Sequence, residues 1–268
     1  MPSVLILLVI GGTSGFLAGM LGAGGGFATV VLLVAAGVDV HTAVGTSLVF
    51  VMLVAAWGAA IHIRQGHARG RLGIAIGLAA AVTAPLGANL AHALSDRTLT
   101  VSFAMLMSVV AVLFLLRPDV RRRDGLGDGM GNRPIAGAQV ASRAPLQRRV
   151  IVGAALGGGA IGILQGLFGV GGGFLLVPFM VMGLGVGEHR AIANSLVAIL
   201  IGGISGSITH ASLGSIATGM LGYLLPGGVL GVIAGALAVR HLAPRTVRIA
   251  FVTLVGVSSV YLVLRAFI

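Results

Sequence analysis

The sequence predicts an all-α integral membrane protein, a tandem repeat of about five apolar segments per half and eight to ten segments in total. Three observations predict it. Of 268 residues, 57% are hydrophobic and 9% charged, with mean hydropathy +1.10, far outside the range of a soluble domain. Apolar runs near the ~20 residues that cross hydrocarbon recur along the chain. The chain also repeats itself: positions 11–34 match 12 of their 24 partners at 158–181, and eight of those matches are glycine. A duplicated apolar unit is a hallmark of membrane transporters.

The first copy, residues 1–116, reads as apolar segments near 3–21, 27–38, 42–63, 72–94 and 98–116. The second, residues 150–268, reads as segments near 150–168, 174–186, 191–210, 217–239 and 247–267. Beyond the glycine triplets the offset becomes 148, and the matches His41/His189, Ser47/Ser195, His62/His210, Gly87/Gly235, Arg97/Arg245 and Phe103/Phe251 follow. The opening segment has no basic n-region and is the counterpart of residues near 150–165, so it is expected to belong to the repeat and not to a cleaved leader. The second segment of each copy is short. About 12 helical residues cover ~18 Å against ~30 Å of hydrocarbon, so it is either a half-helix extended by irregular glycine backbone or a re-entrant loop. Between the copies, residues 117–149 have no apolar periodicity and are rich in Gly, Pro and Arg, which predicts a flexible basic cytoplasmic linker.

The net charge of +11 comes from 17 basic residues, all arginine. They lie between apolar runs, which is a topology signal and not a nucleic-acid face. With the linker in the cytoplasm and every segment crossing, 15 arginines lie inside and two, Arg97 and Arg265, outside. If the short segments do not cross, the count becomes 12 and five. The positive-inside bias favours the first arrangement, and with it inverted repeats in a cytoplasmic (inner) membrane.

Each copy carries a glycine triplet before its short segment: Gly24, Gly25 and Gly26 before Phe27, and Gly171, Gly172 and Gly173 before Phe174. Three adjacent glycines form helix poorly, and irregular backbone within a membrane is tolerated mainly where it lines a cavity. Such backbone aims successive N–H groups at one spot, and the following helix adds its own unpaired N–H groups and positive dipole end. This makes an anion site without a buried cation. The glycines at Gly15/Gly19 and Gly162/Gly166 are better explained by close helix packing. All six carboxylates (Asp39, Asp96, Asp119, Asp124, Asp128 and Glu188) fall outside the spans, which disfavours a cation site.

Polar residues inside spans recur in register. Thr46 and Ser47 match Asn194 and Ser195; Gln165 lies in the second glycine run, where the first copy has Ala18. These donors suit an oxyanion, or they join helices by hydrogen bonds, and the pattern leaves both open. His62 and His210 close the third segments. An interfacial imidazole is the simpler reading for them, and a proton relay the sharper one. The chain has no cysteine, so neither disulfides nor thiolate metal sites are available, and neither a metal nor a cofactor is expected. The expected partners are a small anionic substrate and the lipid bilayer.

With these residues assembled, the chain resembles the sulfite exporter family TauE/SafE. The resemblance rests on GxxxGxxGxGGGF from Gly15 and again from Gly162, on Ala43 to Ser47 with its echo Ala191 to Ser195, and on His62 and His210. It implies a permease for sulfite, sulfonates or related sulfur-containing anions, commonly outward and proton-coupled. One departure is a proline after the triplet, present as Pro178 but replaced by Val31 in the first copy, which predicts a straighter first short segment. Two other classes compete with this reading. An ion channel lacks support from any charged ring or repeated carbonyl filter. An intramembrane serine protease would use G-x-S-G at Ser14 or Ser205 with a histidine base, but neither serine is repeated.

Overall fold

A computed structural model describes residues 2–21, 25–64, 71–116, 148–238 and 244–267. The described residues form helices and connecting turns. In chain order the helices are α1 (Val4–Leu21), α2 (Gly26–Ala35), α3 (Val40–Arg64), α4 (Arg71–Ala93) and α5 (Asp96–Leu116). They continue as α6 (Arg148–Phe168), α7 (Gly173–Pro178, running on as a π-helical turn Phe179–Gly183), α8 (Glu188–Ser212), α9 (Thr218–Ala238) and α10 (Pro244–Phe267). Among the described residues, four stretches are long and apolar enough to cross a membrane: Val40–Ala60, Leu72–Ala93, Arg190–Ser212 and Thr218–Gly235. Shorter apolar helices include Val4–Met20, Gly26–Ala35, Val152–Phe168 and Val252–Phe267. The linker expected over 117–149 lies outside the described residues as far as 147, and α6 begins at Arg148.

The helices pair across the two halves of the chain. Helix α1 packs on α9, α4 on both α6 and α8, α3 on α8, and α5 on α10. Exchanging α1–α5 for α6–α10 turns the α1–α9 pair into α6–α4 and returns α3–α8 and α5–α10 to themselves. Small residues set the distances. A methyl added at Gly15 would collide with the Gly228 backbone, one at Gly162 with Ala80 and Thr83, and one at Gly166 with the Ala84 carbonyl. Backbones in such proximity exchange dispersion contacts that lipid cannot match. Helices α5 and α10 are also joined by hydroxyls: Ser108 and Ser259 lie 2.7 Å apart, and Ser259 donates to the Ala104 carbonyl at 2.9 Å. Large apolar side chains face outward (Leu5, Val82, Leu156, Leu230), as lipid as solvent requires.

The two short helices differ downstream of their start. Helix α2 is regular for its 10 residues. Helix α7 gives way after Pro178 to the π-helical turn. Proline has no N–H to donate and its ring crowds the preceding turn, which a local widening of the helix relieves.

Candidate functional site

Both short helices start from a left-handed glycine. Gly25 has φ +61° and Gly172 φ +69°, and each is the residue just before its helix. An L side chain there would cost about 1–2 kcal/mol in backbone strain alone. Space forbids it too: a methyl on Gly25 would strike the Ser14 carbonyl, and one on Gly172 would meet Ile161. In the second break Gly169 and Gly171 are also left-handed, so the chain turns three times between α6 and α7.

The fold brings these two breaks together. Gly26 packs so tightly on Val170 that a methyl would meet its backbone. Phe27 and Phe174, the residues following the triplets, meet edge to face with centroids 6.2 Å apart. The Ser47 hydroxyl, on α3 and fully buried, lies 3.1 Å from the Gly26 carbonyl and 3.0 Å from the Gly169 carbonyl. One side chain thereby ties both breaks.

Backbone donors accumulate in the second break. The N–H of Gly169 is used by the Gln165 carbonyl at 2.9 Å, and those of Leu175 and Leu176 by Gly172. Among the described residues no acceptor is found for the intervening N–H groups of Val170, Gly171, Gly172, Gly173 and Phe174, all of them buried. Buried amides normally find partners, so consecutive free ones flanked by left-handed glycines form an electropositive nest. Gly24 lies outside the described residues.

The remaining polar candidates hold helices in this conformation. Thr46 Oγ1 accepts the N–H of Ala217, at the start of α9, at 3.0 Å. Asn194 Oδ1 accepts the N–H of Gly73 on α4 at 3.1 Å, while its Nδ2 donates to the Arg190 carbonyl at 2.8 Å. Ser195 donates within its own helix, to Ile192 at 2.8 Å. Gln165 is 1% exposed; its Nε2 donates to the Ile199 carbonyl at 3.0 Å, and its buried Oε1 has no partner among the described residues. The register match between Ser47 and Ser195 thus hides different tasks: one hydroxyl bridges elements, the other folds back on its own turn.

His210, read in the sequence as an interfacial imidazole or a proton relay, is 2% exposed, with Nε2 2.8 Å from the Gly166 carbonyl. A carbonyl only accepts, so Nε2 carries the hydrogen and Nδ1, buried without a partner, keeps a free lone pair. His62 lies in the last turn of α3, and its side chain is outside the described part. Nucleophilic catalysis finds no support here: Ser205 donates to the carbonyls of Ala81 and Gly202, not to an imidazole. Ser14, which the sequence offers only as a nucleophile, has a buried hydroxyl with no partner among the described residues, and its carbonyl faces Gly25.

An apolar helical bundle with interrupted helices meeting inside it defines a multi-pass membrane transporter, and the comparisons agree. Over residues 7–262 the chain matches the family described as Sulfite exporter TauE/SafE, and it belongs to that family. It is 28% identical over 246 residues to the Bacillus subtilis "Probable membrane transporter protein YdhB", covering 91% of this chain and 93% of the relative. It is 29% identical over 215 residues to a "Probable membrane transporter protein" of Xylella fastidiosa, covering 78% and 74%. No solved structure matches.

Proposed function

We propose that the protein is an alternating-access permease for a small sulfur oxyanion, sulfite or a sulfonate, in the cytoplasmic membrane, with the two glycine breaks as its binding centre. The observation that carries this reading is the run of buried amides from Val170 to Phe174, unpartnered among the described residues and set against the first break through Ser47, Phe27 and Phe174. Main-chain N–H groups replace the hydration of an anion without adding charge to the membrane interior. Gly24, Gly25 and Gly26 supply the first half of the centre; Gly171, Gly172 and Gly173 supply the second. Thr46, Ser47, Gln165, Asn194 and Ser195 surround it and exchange partners as the repeats rock.

Inverted repeats give this motion its symmetry, since the exchanged helix pairs become equivalent in the inward and outward states. A proton is the proposed coupling ion. The free Nδ1 of His210 is where it would add, with His62 as the counterpart in the first copy.

Purified protein in liposomes is expected to move labelled sulfite with saturation kinetics. Flux that stays linear to high concentration would mean a channel instead. No sulfite or sulfonate flux above that of protein-free liposomes would overturn the cargo assignment.

A further inference from the structure

Away from the glycine breaks, a cavity of about 270 Å³ opens where the C-terminal end of α2 meets the starts of α3 and α5 and the end of α10. Its wall carries Arg97, Arg265, Asp39, Asp96 and Thr100, with Val38 as part of its apolar side. The two carboxylates already have partners. Asp96 Oδ1 lies 2.9 Å from His41 Nε2, and Asp39 Oδ2 accepts the N–H of Thr42 at 3.0 Å, which caps the first turn of α3. The two guanidinium groups do not: among the described residues neither Arg97 nor Arg265 has a carboxylate within 4.0 Å. Arg97 is instead held over the Phe267 ring, 4.5 Å from its centroid, which orients the guanidinium without neutralising it.

We propose that this cavity binds a small solute oxyanion between Arg97 and Arg265, as a second station on the route to or from the glycine breaks. The proposal rests on the anion reading of the central site. Guanidinium groups present paired N–H donors to the edge of a sulfo or carboxylate group, and two from different helices clamp it more specifically than one. The volume approaches the lower end of small-molecule sites, about 300 Å³, and leaves room for water or a short organic tail. The position is also right. Helix α2 starts at the first glycine break, and its far end, through Val34, lines the cavity; 10 residues at about 1.5 Å each put the two stations roughly 15 Å apart along one helix. Arg97 belongs to the repeated unit, recurring at the 148-residue offset as Arg245.

The test is arginine footprinting on the whole protein in lipid-free detergent. Phenylglyoxal modification is read residue by residue by mass spectrometry, with and without methanesulfonate as probe. Methanesulfonate well above its Kd is expected to slow modification of Arg97 and Arg265 by about tenfold, because the reagent reaches only the free fraction. Arg148 and Arg190 should react unchanged. Arg97→Gln is expected to remove the protection of Arg265, and Arg265→Gln that of Arg97. Unchanged rates at both arginines would overturn the proposal, as would equal slowing at every arginine or equal slowing by chloride at the same ionic strength. Protection by phosphatidylglycerol but not by methanesulfonate would also overturn it, assigning the cavity to a lipid phosphate. Sulfite flux is measured separately: flux without protection defeats this site alone, whereas protection without flux defeats the transport reading and leaves the site.

Discussion

Ser47→Ala removes a single oxygen at the place where the two halves of the chain meet. The hydroxyl is fully buried and lies 3.1 and 3.0 Å from two carbonyls, one in each break. A hydroxyl has one proton, so the bond is shared, and its loss is worth one interaction and not two. Buried acceptors left without a donor cost about 1–3 kcal/mol in soluble proteins. Measured interhelical bonds in a membrane protein average about 0.6 kcal/mol and reach about 1.7. Because the Gly169 carbonyl belongs to irregular backbone outside any helix, the upper membrane values apply, and we expect Ser47→Ala to cost about 1–2 kcal/mol. That is a drop of about five- to thirtyfold in the ratio of folded to unfolded protein.

Ser195→Ala is the internal control. Its hydroxyl serves only Ile192, three residues back in the same helix. Such back-bonding adds little, and alanine is the better helix former, so a change below about 0.5 kcal/mol is expected. Both variants are unfolded by rising dodecyl sulfate in mixed micelles and followed by far-ultraviolet circular dichroism. A Ser47→Ala midpoint equal to wild type would refute the clamp, and so would equal losses in the two variants. Sulfite transport supplies a second axis. A clamp leaves KM close to wild type in the surviving folded protein, whereas a hydroxyl that touches the anion raises KM without loss of stability.

Other consequences follow from the same geometry. Gly25→Leu combined with Gly172→Leu places side chains at φ +61° and +69°, into Ser14 and Ile161, and is expected to abolish sulfite flux; normal flux at normal expression would remove the triplets from the site. Gln165→Met discards a buried, unpartnered Oε1 along with one bond to Ile199, so stability should shift by less than about 1 kcal/mol, and a large loss of flux would then report contact with cargo. His210→Gln keeps a donor for the Gly166 carbonyl but cannot hold the proton; flux driven by a pH gradient should fall while sulfite counterflow at equal pH persists, and equal loss of both would defeat the relay. A reporter fused after Ile268 is expected outside the cytoplasm, and a cytoplasmic signal would reject the inverted arrangement.

The helices were legible in the sequence because their signal is dense. The third segments, expected near 42–63 and 191–210, are α3 at Val40–Arg64 and α8 at Glu188–Ser212, and the short segments end within a few residues of the expected bounds. The shortness of α2 and α7 follows from glycine triplets that a helix cannot absorb and, in the second copy, from Pro178. Partner choice was not legible, because periodicity reports which face of a helix is apolar but not whose face it meets. Thus Thr46 and Asn194, matched in register, were equally suited to lining a path or joining helices, and only placement shows Thr46 on Ala217 and Asn194 on Gly73. The partner of His210 was hidden for the same reason: a place near a helix end does not show that the ring meets the Gly166 carbonyl of α6.

A duplicated chain need not have two identical sites. The stripes at Gly15 and Gly162 bring α1 against α9 and α6 against α4 in equivalent ways, so the scaffold is repeated. The centre is not. Gln165 has Ala18 as its counterpart, Pro178 has Val31, and the hydroxyl of Ser47 reaches both breaks while that of Ser195 reaches neither. One central site that both halves complete needs only one clamp, and a second would compete for the same carbonyls. The asymmetry is what the proposed single shared binding centre would require, whereas two independent sites would have kept Ser195 facing a carbonyl across the breaks.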